Sequence, residues 1–304
     1  MFNLPKFARV SVLPRIQICL RSLHGSLVLL GLFVGLCYLP TWAFGLFDRG
    51  PQSSDGLTLA TCFVGLSLYL LWKQRPQLTL LEASEEDQLL GHMLIIAGVG
   101  LFPFCRFAIW PQAILWALIL AGIAFSTWGM RFFAQHQLLV VAALATVYPQ
   151  PTQTARLLWE AITPYKFLER WMAQAGAGAL QLIGWPATAV QSLVTFPEGA
   201  VDVDWGCNGF DMALTMAVTG LVMGAFLKQS RGKTLGFIGI GIVAALIFNV
   251  PRIMLLAVAS VYWGQGWFGF WHGPWGGQLF TGALFTVYYY TVMAIAKHRP
   301  NKVA

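Results

Sequence analysis

Three polar residues lie where an apolar chain has little use for them. Cys207 stands in Trp205-Gly206-Cys207-Asn208-Gly209, just ahead of an apolar run. A thiol at a helix N-terminus and near a cation has a lowered pKa, and so a larger fraction of nucleophilic thiolate. Arg252, in Asn249-Val250-Pro251-Arg252, falls in the outer part of the next apolar run. An arginine at the centre of a membrane helix costs about 2.5–3.5 kcal/mol on insertion scales, so one inside a span marks function. Pro251 weakens the helix ladder just before it and frees a carbonyl that Asn249 or Arg252 can engage. His272 sits in a tryptophan-rich loop, and an imidazole that titrates near neutrality can accept a proton. Each residue also has an ordinary reading: a packing cysteine, an arginine snorkelling to headgroups, an incidental interfacial histidine.

The elements that must position these residues are membrane spans. The chain has 304 residues, 57% hydrophobic and only 10% charged. Soluble domains carry roughly 25% charged residues, so a soluble globular protein is excluded. The basic residues, which give a net charge of +7, punctuate apolar runs instead of forming one patch, which argues against nucleic-acid binding. Runs of about 18–25 apolar residues match a hydrocarbon core of ~30 Å. They predict an all-α polytopic protein of about eight spans: 26–47, 57–72, 89–109, 111–128, 132–148, 207–227, 235–260 and 277–296. The first run is too long for a signal-peptide core and is expected to be a retained span. Placing the N-terminus in the cytoplasm puts most of the 19 basic residues inside, from Lys6 to Lys302, so both termini are expected to be cytoplasmic. The acidic run Glu85-Glu86-Asp87 then reads as a solvated inner connection.

The one long hydrophilic stretch, 149–206, is expected outside. It separates five N-terminal spans, 1–148, from a three-span core, 207–304. Arg156, Glu160, Lys166, Glu169 and Arg170 are spaced among Leu and Trp as in an interfacial amphipathic helix. Ala189–Phe196 is rich in strand formers, Pro197-Glu198-Gly199 signals a turn, and Val201–Asp204 alternates. A short β-hairpin leading into the sixth span is predicted.

In this frame Cys207 and Arg252 lie at nearly equal chain distance from the inner turn near Arg231. At 1.5 Å per residue their depths differ by only about 4–5 Å. His272 lies in the following outer loop. A nucleophile, a cation and a base thus converge on one membrane face, as an acyl-transfer site with an activated cysteine requires.

These residues resemble the exosortase/archaeosortase family of membrane cysteine transpeptidases, and look most like its cyanobacterial branch. The resemblance rests on Cys207-Asn208-Gly209, on Asn249 with Arg252, and on His272 followed by Gly276, in the family's order over roughly residues 165–296. The first five spans match only in being hydrophobic. Many members have serine where this chain has Asn208. The resemblance implies Cys207 as nucleophile, His272 as proton-transfer partner and Arg252 as electrostatic stabiliser. Asn208, Asn249 and Asp211 are supporting residues. It implies cleavage of exported proteins that end in a short motif such as Pro-Glu-Pro, a hydrophobic helix and a basic tail. The acyl group then passes to an undefined acceptor. No cofactor is implied, and the expected location is the plasma (inner) membrane, with the site on the extracytoplasmic face.

Other readings stay open at this point. A transporter or channel could line a polar path with Arg252 and Asp211, a turn below Cys207, although no inverted repeat is visible. A metal site from Asp202, Asp204, Cys207 and His272 lacks any ligand spacing that supports it. A disulfide between Cys105 and Cys207 is compatible with an oxidising outer face.

Overall fold

The apolar runs become helices whose ends are set by local polar chemistry. The computed structural model describes residues 21–47 and 54–297. Two compact units are formed, one by Met1–Asp48 with Phe63–Pro149, the other by Arg49–Cys62 with Gln150–Ala304.

In the first unit α1 is Leu23–Phe47, and α2, Ser54–Leu78, runs from the second unit into it. Next come α3 (Glu85–Leu101), α4 (Ile109–Trp128), α5 (Met130–Gln135) and α6 (Gln137–Val147). The acidic run expected to be mere connection caps α3. Ser84 Oγ accepts from the Asp87 amide at 3.2 Å, and three carboxylates in the first turn oppose the positive end of the helix dipole. Asp87 also accepts from the Met130 amide at 3.2 Å, tying the start of α3 to the start of α5. The α3–α4 hairpin turns through the 3₁₀ segment Phe102–Cys105. Pro111 lies in the first turn of α4, where its missing N–H costs nothing. The fifth span expected over 132–148 is broken at His136, whose backbone (φ −117°, ψ 38°) is not helical. At 11 residues α6 is about 16 Å long, short of a bilayer core.

The second unit holds the cysteine. Its elements are α7 (Pro151–Ile162), α8 (Phe167–Leu182), β1 (Thr188–Val190), β2 (Leu193–Phe196), β3 (Gly199–Asp202), α9 (Phe210–Phe226), α10 (Arg231–Val258), α11 (Gln265–His272) and α12 (Pro274–Lys297). A hairpin was expected before α9; the structure has a three-stranded antiparallel sheet in the order β1-β2-β3. The Pro197-Glu198 turn joins β2 to β3, pairing Phe196 with Gly199. The stretch expected as one strand, Ala189–Phe196, is two, because Gln191 adopts a positive φ of 57° and reverses the chain. The tryptophan-rich stretch expected as a loop contains a helix, α11, joined to α10 by a π-helical turn, Ala259–Trp263.

Packing in this unit is in two layers. Met172, Ala173 and Leu180 of α8, Val194 and Phe196 of β2, and Ile253, Ala257 and Val258 of α10 form one core. α9 and α10 pack more closely, backbone against backbone. A Cβ at Gly220 would lie 2.8 Å from the Ile238 amide, and one at Gly241 would lie 2.8 Å from the Met216 carbonyl. Small residues at such contacts let membrane helices approach without cost. Tyr288 of α12 donates to the Phe237 carbonyl at 3.0 Å and fixes the third helix to this pair.

Among the described residues five helical stretches are long and apolar enough to cross a bilayer: Leu23–Leu46, Glu85–Cys105, Ile109–Trp128, Arg231–Trp263 and Trp275–Lys297. Gln137–Val147 and Phe210–Phe226 are shorter apolar helices. The protein is a multi-pass, predominantly helical membrane protein, with these five stretches and two shorter apolar helices among the described residues.

Candidate active site

The turn before α9 is held from three sides. The amides of Cys207 and Asn208 both donate to the Asp204 carbonyl, at 2.8 and 2.9 Å. Gly209, the cap of α9, has φ 81°, and a Cβ there would lie 2.8 Å from Nδ2 of Asn249, so glycine is required for both conformation and space. A glycine cap has no side-chain acceptor, and Asn208 supplies one: its Oδ1 accepts from the Phe210 amide at 2.9 Å. Its Nδ2 donates to Glu169 Oε1 at 2.9 Å, with both residues buried. From α10, Asn249 Nδ2 donates to the Cys207 carbonyl at 2.7 Å.

His272 closes the site from the end of α11. Its ring stacks on Phe268, one turn earlier, with centroids 5.2 Å apart and planes at 18°. Nε2 faces the residue before the cysteine: a methyl placed on Gly206 would lie 3.6 Å from it. Gly276 allows this placement, since a Cβ there would run into the Trp271 carbonyl at 2.3 Å. Cys207 and His272 both line a cavity of about 220 Å³, whose other walls come from β2, β3, the β3–α9 connection, α10 and Phe268.

Arg252 lies one turn beyond Asn249 on α10. It is not among the cavity walls, yet its charge acts on both Cys207 and His272. Its Nε is buried and has no hydrogen-bond partner. Of the three residues expected to converge, two therefore stand in the cavity wall, and the third acts on them by its charge.

The electrostatics differ from the expectation of an activated thiolate. Cys207 lies two residues ahead of the cap of α9, outside the first turn where a helix dipole acts. Burial pushes its thiol up; Arg252 opposes this and the Asp204 carboxylate adds to it. Burial, and then Arg252, hold His272 below the usual imidazole value. Both directions favour the uncharged forms, thiol and imidazole, of the two residues that share the cavity wall.

Asp211 is not paired with Arg252. It receives Arg156 of α7, whose Nε donates to Oδ1 at 3.1 Å while a second N–H donates to Oδ2. The Arg156 guanidinium also lies 5.2 Å from the centre of the Trp205 ring. Among the described residues no group of three or more potential ligands could hold a metal. Asp202 is engaged by Ser192 Oγ at 2.6 Å and Lys166 Nζ at 3.0 Å. Cys105 and Cys207 are free thiols.

A family model described as transmembrane exosortase matches residues 52–289, which include the sheet, α9, α10, His272 and most of α12. The chain belongs to the transmembrane exosortase family. No curated protein and no solved structure matches it significantly. Membership of the exosortase family points to a membrane enzyme of protein sorting.

Two residues of this exosortase site escape a reading by motif, Glu169 and Arg156. Glu169 had a detectable signal: it shares a helical stripe with Met172, Ala173, Gly176 and Leu180, all buried, so a carboxylate occupies the apolar face of α8. Arg156 has no comparable mark, since cations are common on an amphipathic helix.

Proposed function

We propose that this exosortase is a membrane-embedded cysteine protease and transpeptidase that cleaves C-terminal sorting signals of exported proteins on the outer face of the plasma (inner) membrane. The observation that carries this reading is the pairing of Cys207 and His272 across one cavity, with Arg252 close enough to act on both. Cys207 Sγ attacks the scissile carbonyl carbon as its proton passes to His272. The C–N bond breaks, the leaving amine takes that proton, and a thioester forms on Cys207. Water or an acceptor nucleophile then attacks the thioester, giving its proton to His272, and the cysteine leaves protonated. Arg252 opposes the negative charge that develops on sulfur or on the carbonyl oxygen.

The substrate fits this frame physically. Its signal (a Pro-Glu-Pro-type motif, a hydrophobic helix and a basic tail) would lie along the lipid-facing helices of the second unit, with the tail inside. The scissile peptide then emerges at the level of Cys207. Co-expression with a reporter ending in such a signal tests the reading. Cys207→Ser and His272→Gln should insert normally and leave the reporter unprocessed; processing at the wild-type rate by Cys207→Ser would refute it.

A further inference from the structure

We propose that the cavity beside Cys207 is a subsite that takes one apolar side chain of the substrate peptide, adjacent to the scissile bond, and disfavours an acidic one. The proposal rests on Cys207 being the nucleophile, because a cysteine in the cavity wall places any occupant next to the reacting carbon.

The floor is apolar and closed. Val194 is 0% exposed, Ala257 and Val203 1%, and Leu256 2%, and each lines the cavity. None of these side chains can pair with a polar group, so a polar occupant would lose its water without compensation. The mouth is acidic: Asp202 and Asp204 line the cavity and are exposed. Asp202 pairs with Lys166 and is held by Ser192, and the charge of Lys166 also reaches Asp204, three residues before Cys207. At about 220 Å³ the space is below the roughly 300–1,000 Å³ of pockets that hold whole small molecules, yet above the roughly 150 Å³ of an apolar cavity that holds benzene. One apolar side chain, aliphatic or aromatic, is the matching occupant.

Peptidyl chloromethyl ketones carrying Val or Asp next to the reacting carbon read this directly on the full-length protein in micelles. The sulfur displaces chloride to form the C–S bond, and the thiol proton is lost to buffer. Each labelling rate at Cys207 is divided by the iodoacetamide rate of the same protein. The Val probe should label at least about tenfold faster than the Asp probe, the scale of discrimination a fitted apolar pocket gives. Ala257→Leu should erase most of the Val advantage, and Asp204→Asn should raise the Asp probe severalfold. Equal normalised rates for the two probes in the wild type would overturn the subsite, whatever the variants do. A Cys207 that iodoacetamide does not label would instead remove the nucleophile, and the subsite with it.

Discussion

Nδ2 of Asn249 donates to the carbonyl oxygen of Cys207 at 2.7 Å, so the backbone at Cys207 is fixed to the same helical turn that carries Arg252. Asn249 and Arg252 are three apart on α10 and share a face. The spacing Asn-x-x-Arg therefore has a mechanical meaning: one residue sets where the cysteine stands, and the next turn sets where the charge stands relative to it.

Asn249→Ala should leave that carbonyl unpaired at a buried contact, costing about 1–3 kcal/mol of stability. Signal cleavage should fall at least tenfold, since the sulfur would no longer be held at the depth of Arg252. Asn249→Asp should be worse, because a carboxylate would face the carbonyl. Thermal melts and reporter processing in parallel decide the point; full processing by Asn249→Ala would show that the bond is dispensable.

Glu169 makes a second brace. Glu169→Ala should strand the buried Nδ2 of Asn208, at a cost of about 1–3 kcal/mol, and loosen the turn that carries Cys207. Glu169→Gln keeps an oxygen for the same hydrogen bond and should retain most processing. Equal loss in the two variants would mean that the charge matters and not the acceptor.

The legible part of this site is its chemistry, and the less legible part is its scaffolding. Cys207, Arg252 and His272 stand out because a nucleophile, a cation and a base are rare in an apolar chain. Helix rise and loop order alone bring Cys207, Arg252 and His272 together, and the structure puts Cys207 and His272 in one cavity wall with the charge of Arg252 acting on both. The partner of Asp211 could not be read in the same way. Several cations were within plausible reach, and the choice of Arg156 depends on how α7 is placed, which no local pattern encodes. The β1–β2 reversal is hidden for a similar reason: Gln191 in a left-handed conformation carries no turn signature. The break at His136 lies within a continuous apolar run, where hydropathy cannot separate one helix from two.

Topology gives an independent check. An accessibility tag at Glu160 should report the outer side and one at Ser230 the inner side, since Ser230 caps α10 beside Arg231 and Lys233. A tag at Ser230 reporting outside would put Cys207 on the cytoplasmic side and end the proposal that exported proteins are the substrates.

The last prediction concerns protonation. His272 acts as base only when neutral, and burial with Arg252 favours that form, so the acidic limb of processing should lie below the usual histidine value of 6.5. Processing should fall as pH drops through that lowered value. Burial outweighs Arg252 at Cys207, so alkylation should titrate above the ordinary thiol value of 9.0. Arg252→Ala removes a positive charge from both neighbours. The thiol titration should therefore move further up, and the histidine limb should move up toward 6.5. Arg252→Lys keeps the charge and should hold both titrations near the wild type, yet processing should still fall severalfold if the planar guanidinium makes two directed contacts in the transition state. Alkylation and processing rates measured against pH in the three proteins separate these effects. An unchanged thiol titration in Arg252→Ala would mean that Arg252 does not tune Cys207 and acts on the substrate or the oxyanion alone.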